Sequence, residues 1–425
     1  MTATALSPTL TRLSGTTGLT CRHCGTPLRQ SVADLGMHPP CQSVVQPEDR
    51  WAPETVYPLH AFVCGSCRLV QIDEVVPPEE IFSEYAYFSS YSTSWLAHAS
   101  RYAEAMTERF ALGPEHTVIE IASNDGYLLR NFVERGIPCL GVEPAANVAK
   151  AAEAAGVPTR VAFFGEAEAQ KMRAEGIGAD LIAANNVLAH TPELNSFVAG
   201  LAVLLNERGV ATLEFPHLVR LMEENQFDTI YHEHFSYFSF TTVERIFASF
   251  GLTLFDVEEL PTHGGSLRIY ARHAADESRP ISRAVHDLRQ READWGVDRD
   301  ETYAAFADRV RQTKHALLRF LLGAAEAGKT VVGYGAAGKG NTMLNACGIK
   351  PDLVAYTVDR NPYKQDTYIP SARLPVFAPE KIFETRPDYV LILPWNLRDE
   401  IAEQMKGIRE WGGRFVVPIP EVDVF

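Results

Sequence analysis

Two C-x2-C pairs near the start of the chain constrain it most: Cys21 and Cys24, then Cys64 and Cys67. Thiolates two residues apart can share one metal ion on a tight turn, and two such pairs complete a tetrahedral zinc shell. The 39 residues between the pairs leave room for a small lobe, more than a compact ribbon needs. A closed four-sulfur shell has no open coordination position, so the predicted zinc is structural. Four unrelated thiols, or two disulfides, are the alternatives. Outside these pairs Cys41, Cys139 and Cys347 are scattered singly. That pattern suits a reducing compartment and predicts a cytoplasmic protein.

A chain of 425 residues predicts two or three domains. Its formal net charge of -15 argues against non-specific binding to nucleic acid or to an anionic membrane. Residues 1–18 are rich in Ser and Thr and carry no long apolar run, so they do not read as a secretory signal. No apolar stretch is long and charge-free enough to span a bilayer.

From His116 onward strands alternate with helices, which predicts an α/β fold with a largely parallel sheet. Thr117–Ile121, Leu140–Glu143, Ala179–Ala184 and Gly209–Glu214 read as strands. A polar linker, Ala274–Ser282, precedes one or two long helices over Val285–Gly328, and a second β/α unit starts at Thr330. The expected division is a zinc-binding lobe over 1–75, a nucleotide-binding domain over 76–284 and a C-terminal Rossmann-like domain over 285–425.

Three segments carry chemistry. The first, Glu120-Ile-Ala122-Ser123-Asn124-Asp-Gly126, joins a strand to a helix, where a doubly wound sheet binds nucleotide-like ligands. Glu143 ends the next strand, placed to bond ribose hydroxyls. Acids at both strand ends suit S-adenosylmethionine, whose cationic groups want carboxylates, better than a dinucleotide pyrophosphate, which wants bare amides. The second segment is Tyr231-His232-Glu233-His234-Phe-Ser-Tyr237. It is not H-E-x-x-H, because position 236 is serine, which argues against a metalloprotease helix. His232 and His234, two apart, would share one face of a strand, as half of a metal site or as a general base with Tyr231 and Glu233 orienting it. Asn186-Val-Leu-Ala-His190 follows a strand end and would bring another histidine to the same rim. The third segment, Gly333-Tyr-Gly335-Ala-Ala-Gly338-Lys339-Gly-Asn341, matches the dinucleotide pattern, with Asp359 at the next strand end. Its amides and Lys339 could equally hold a substrate diphosphate.

Taken in this order, and with His263-Gly-Gly-Ser-Leu-Arg268, these motifs resemble the S-adenosylmethionine-dependent sugar C-methyltransferases that build branched deoxysugars for antibiotics. The resemblance covers nearly the whole chain. It implies a TDP-4-keto-(di)deoxyhexose substrate, methylated most often at C3, and structural zinc. It implies that Glu120, Ala122, Ser123, Asn124, Gly126, Glu143 and Asn186 bind S-adenosylmethionine. It implies that His234 removes the proton from the carbon to be methylated, with Tyr231, Glu233, His190 and Tyr85 around the sugar. Tyr87, His263, Lys339 and Asn341 would also meet the substrate, and the second glycine loop would face the nucleotide sugar. The expected assembly is a monomer. Ala122 stands where relatives often have glycine.

The mechanism this implies rests on carbon acidity: a neighbouring keto group lets the carbanion delocalise as an enolate, and a neutral histidine is suited to take the proton. Methylation at C5, O-methylation, a nicotinamide-dependent nucleotide-sugar oxidoreductase using the second loop and a non-catalytic nucleotide-sugar binding protein are the rival readings.

Overall fold

The computed structural model describes residues 18–77, 89–91 and 93–425. Tyr85 and Tyr87 lie outside the described residues. The fold is α/β, with three sheets among the described residues. Strands β1 (Gln30–His38), β2 (Tyr57–Val63) and β3 (Val70–Ile72) form an antiparallel meander in the N-terminal lobe.

The middle sheet begins with β4 (Val118–Ile121), β5 (Cys139–Glu143), β6 (Thr159–Val161), β7 (Ala179–Asn185) and β8 (Leu205–Pro216), all parallel. Next comes the short β9 (Ser236–Tyr237), which leaves this sheet and pairs with β3 in the N-terminal lobe. The chain then returns through β10 (Leu252–Leu260) and β11 (Ser266–His273), which close the middle sheet antiparallel. The order is β6-β5-β4-β7-β8-β11-β10. All four residues of β4 are buried, as a strand covered on both faces requires. Strand order reverses beside β4, and that reversal opens a crevice at the carboxyl ends of β4 and β7.

The C-terminal sheet has β12 (Val331–Tyr334), β13 (Thr357–Val358), β14 (Val376–Phe377), β15 (Tyr389–Ile392), β16 (Arg414–Val417) and β17 (Asp423–Val424), in the order β14-β13-β12-β15-β16-β17. Only β17 runs antiparallel.

Four helices position the site: α1 (Thr93–Phe110), α2 (Arg283–Trp295), α3 (Asp300–Glu326) and α4 (Gly338–Cys347). The charge-laced stretch is thus two helices, parted at Gly296 in a left-handed cap with φ 97°. Val285 and Leu288 of α2 enter the core of the middle sheet. Tyr303, Phe306, Val310, Leu317 and Leu321 form the buried stripe of α3. They share a core with Val32 and Ala33 of β1 and with Leu391 and Val416 of the C-terminal sheet. The first and last parts of the chain therefore pack as one body, and the segment around 227–237 is enclosed between that body and the middle sheet.

Candidate active site

The crevice at β4 is built from strained backbone and unpaired polar atoms. Ala122 and Asn124 adopt left-handed φ of 57° and 49°, and Gly126 follows at 77°. Glu143 holds this loop, accepting the Asn124 amide at 2.9 Å and the Ala145 amide at 2.9 Å. Glu120 lies underneath, where burial, then the charges of Glu143 and Asp125, push its carboxyl well above the usual range. Its charged form is thus disfavoured unless a cation lies beside it. Asp125, not singled out from the sequence, accepts both the amide and the hydroxyl of Ser90, at 3.1 and 2.5 Å. Asn124 Oδ1 accepts the Ser89 amide at 2.9 Å. These bonds fasten the end of the aromatic 85–91 segment onto the loop. Glu120 Oε2, Ser123 Oγ, Asp125 Oδ1, Asn185 Oδ1 and Asn186 Nδ2 are buried without hydrogen-bond partners. Buried polar groups are rarely left unpaired, so five such atoms around one crevice fit a polar ligand that could complete them.

The second constellation lies on the turn after Thr229. His234 Nδ1 donates to the Thr229 carbonyl at 2.9 Å. A carbonyl only accepts, so Nδ1 carries the hydrogen and Nε2 keeps a lone pair. The Tyr231 ring lies 4.0 Å from the His234 ring, and His190 approaches its edge at 4.7 Å. Burial, then the neighbouring His190, lowers the His234 pKa well below 6.5. Burial likewise lowers His190 and His263 to about 4. His190 and His234 are half-buried, and His263 is exposed at the rim. Neutral imidazole is the resting form of all three.

The expected pairing of His232 with His234 does not form. The chain turns at 231–234, closed by the His234 amide on the Tyr231 carbonyl, so the two side chains diverge. His232 Nε2 instead meets the Pro58 carbonyl at 3.2 Å. No metal pair exists there. Glu233 also turns aside: its carboxyl accepts from Cys41 Sγ at 3.3 Å, and burial raises its pKa to about 7.

Helix α4 and the loop after β15 close the cleft from the C-terminal side. Thr342 of α4 donates to the Ile230 carbonyl at 3.2 Å. Trp395 donates its indole N–H to Asp228 at 2.8 Å, and burial raises that carboxyl to about 6. Gly264 has φ 87°, and a Cβ there would lie 2.6 Å from the Trp395 ring, so glycine is required on both counts. His263 just before it, itself at φ 56°, faces Trp95 of α1 with ring centres 5.5 Å apart. Lys339 lies over the Trp395 face, its Nζ 4.6 Å from the ring centre. Asn341 is buried, its side-chain oxygen accepting from Asn345 at 2.9 Å.

The glycine loop itself is covered. A Cβ at Gly338 would lie 3.0 Å from Cys41 Sγ, with Gln42 next to it. Asp359, the expected ribose acid, accepts the Ala336 amide at 2.7 Å. The N-terminal lobe thus packs against the first turn of α4 at Gly338, and Asp359 is engaged by the loop itself, which argues against the nicotinamide reading of the fingerprint. Cys41, Asp228, Trp95 and Trp395 carry no local motif, and only the assembled fold brings them to the site.

The four cysteines do converge, with their sulfurs within 4.8 Å of one another. Cys21 and Cys67 sulfurs are 3.5 Å apart, as are those of Cys24 and Cys64. Tetrahedral bonds of about 2.3 Å require sulfurs roughly 3.8 Å apart, so the donor set fits zinc. The Gln71 side-chain amide donates to Cys21 Sγ at 3.2 Å, and the Ser66 amide to Cys64 Sγ at 3.4 Å. Such donors favour the thiolate form.

Comparison with known proteins then decides the family. Residues 21–82 match a zinc binding domain, 95–257 a methyltransferase domain and 261–420 a C-methyltransferase C-terminal domain. The C-methyltransferase NovU of Streptomyces niveus is 36% identical over 403 residues, covering 94% of this chain and 95% of NovU. The chain belongs to this C-methyltransferase family. Solved methyltransferases match only its middle part. One from Anabaena variabilis is 17% identical over 42% of this chain and 86% of its own, with a TM-score of 0.35. Magnesium protoporphyrin IX methyltransferase from Synechocystis is 14% identical over 42% and 80%, with a TM-score of 0.32. Scores this low decide nothing here. The C-methyltransferase uses S-adenosylmethionine and binds zinc through its four-cysteine cluster. Among its described residues no helix is long and apolar enough to cross a membrane.

Proposed function

We propose that this C-methyltransferase methylates a TDP-4-keto-deoxyhexose at the carbon beside the keto group, C3 being the expected position. The observation that carries this reading is the state of His234: its Nδ1 hydrogen is committed to Thr229, and its Nε2 lone pair stands beside Tyr231 and His190 in a cleft. Such an imidazole can take a proton but not give one, which suits removal of a C–H acidified by a carbonyl. Tyr231 and His190 orient the ring, and His263 and Trp95 line the facing wall. Tyr85, placed by the sequence just ahead of the fastened Ser89, is assigned to the sugar. The loop of Ala122, Ser123, Asn124 and Gly126, with Glu143, Asn185 and Asn186, receives the cofactor. S-adenosylmethionine, when bound, supplies an electrophilic methyl group on a sulfonium. Holding both reactants fixed in one cleft removes much of the entropic barrier to their encounter.

The test is incubation of the protein with S-adenosylmethionine and a TDP-4-keto-6-deoxyhexose in deuterated water, read by mass spectrometry and proton NMR. One new carbon-bound methyl on a carbon that has lost its proton is expected, with deuterium at that same position in the unreacted substrate. A methyl on oxygen, or on C5, would move the reaction to that atom. Neither methyl gain nor exchange, with cofactor binding demonstrated, would remove the keto-sugar assignment.

A further inference from the structure

Lys339 is the cation that the motif reading gives to the diphosphate. Its surroundings point elsewhere. It stands in the first turn of α4, which the N-terminal lobe covers on the side of Cys41 and Gln42. Among the described residues its ammonium makes no ion pair; its polar contact is the neutral Asn396 side chain at 3.4 Å. It rests on the face of Trp395, and Trp395 is fixed at two points. One is Asp228, the residue before the Thr229 whose carbonyl holds His234. The other is Gly264, the residue after His263. Lys339 is therefore carried between the proposed base and the opposite wall of the cleft. Its charge bears on His234, His263 and Asp228.

We propose that Lys339 supplies the positive charge that meets the keto oxygen as it becomes an enolate oxygen, and does not anchor the diphosphate. This rests on the keto-sugar reading above. In the step concerned the C–H bond breaks and its proton passes to His234 Nε2. The electron pair forms a C=C bond, and the carbonyl pair moves onto oxygen as a full negative charge. That charge is stabilised by a counter-charge held in place before the reaction. A cation set on an aromatic face, with no ion pair among the described residues, is placed to accept it. Trp395 is the positioning residue that aims it.

Deuterium exchange at the acidified carbon, measured with S-adenosylhomocysteine in place of the methyl donor, isolates this step. The full chain and its Lys339→Met and Lys339→Gln variants would be compared at saturating TDP-4-keto-6-deoxyhexose. Binding of thymidine diphosphate would be measured in parallel by calorimetry. The expected result is exchange slowed about 10²–10³-fold in both variants, the usual effect of losing one oxyanion donor, with thymidine diphosphate affinity within about twofold of the parent. Unchanged exchange with affinity lost at least tenfold would return Lys339 to the diphosphate and overturn the proposal. No exchange in the parent chain would instead reject the keto-sugar reading itself. Folding of each variant is checked by its melting temperature and zinc content. Trp395→Phe, which keeps an aromatic face but loses the Asp228 bond, is expected to slow exchange less than either Lys339 variant; an effect as large as theirs would assign the loss to cleft geometry and overturn the charge argument.

Discussion

His234 is held through Nδ1 by the carbonyl of Thr229, 2.9 Å away, and its other nitrogen has no hydrogen-bond partner among the described residues. Replacing it with asparagine keeps a group able to donate to that carbonyl and removes the basic nitrogen. Turnover of His234→Asn should fall on the order of 10²–10⁴-fold. Affinity for S-adenosylhomocysteine, measured by calorimetry, should stay at the parent value. Turnover near the parent's would exclude His234 as the base.

The pH dependence follows from burial. His234 acts as the neutral ring, and its pKa lies well below 6.5. The base is lost only when pH falls through that lowered value. The acid limb of kcat/KM should therefore lie below pH 6.5, with a flat profile from there to neutrality. A limb near pH 7 would implicate ionisation of Glu233, whose carboxyl is raised to about 7.

Asp125 fastens the 89–91 segment to the cofactor loop through two bonds to Ser90. Asp125→Ala removes both. At about 1 kcal/mol net for each of the two bonds, affinity for S-adenosylhomocysteine should drop by up to about 30-fold. Equal titration curves for variant and parent would mean that the segment does not help form the cofactor site.

The four-sulfur cluster predicts one zinc per chain by elemental analysis. Structural zinc contributes directly to folding, so chelation should lower the melting temperature and unfold the N-terminal lobe. The cleft should be disturbed with it, because β9 pairs with β3 of that lobe. A metal-free protein with the parent's melting curve and full activity would contradict a structural ion.

Glu292 of α2 is buried and accepts from the Phe240 and Thr241 amides, the Thr241 hydroxyl and His217 Nε2, all within 2.8 Å. Burial alone would raise its carboxyl, but the His217 and Thr241 bonds lower it on balance. Glu292→Ala leaves these donors buried and unmatched, at a cost of about 3–5 kcal/mol. A clear drop in melting temperature is expected, with cofactor affinity unchanged at low temperature. An unshifted melting curve would show that water replaces the carboxylate at no cost.

What the sequence determined by itself was local. Two thiols two residues apart must meet one ion, so the zinc cluster is written in spacing. Apolar runs ending at Ser123-Asn-Asp-Gly126 and at Gly333-Tyr-Gly335 set the strand ends, because a buried strand and the turn beyond it are short-range choices. Motif order was enough to point to the family. Tertiary structure decided the rest. Whether His232 shares a face with His234 depends on a turn at 231–234 that propensity does not distinguish from a strand. Glu233 meets Cys41 across 192 positions of sequence, and Asp228 meets Trp395 across 167. Such contacts arise because α3 buries one stripe against the first and last sheets together, carrying the N-terminal lobe over the glycine loop and Lys339 into the cleft. Side-chain direction across such distances is set by packing of whole elements, and no local pattern in the chain encodes it.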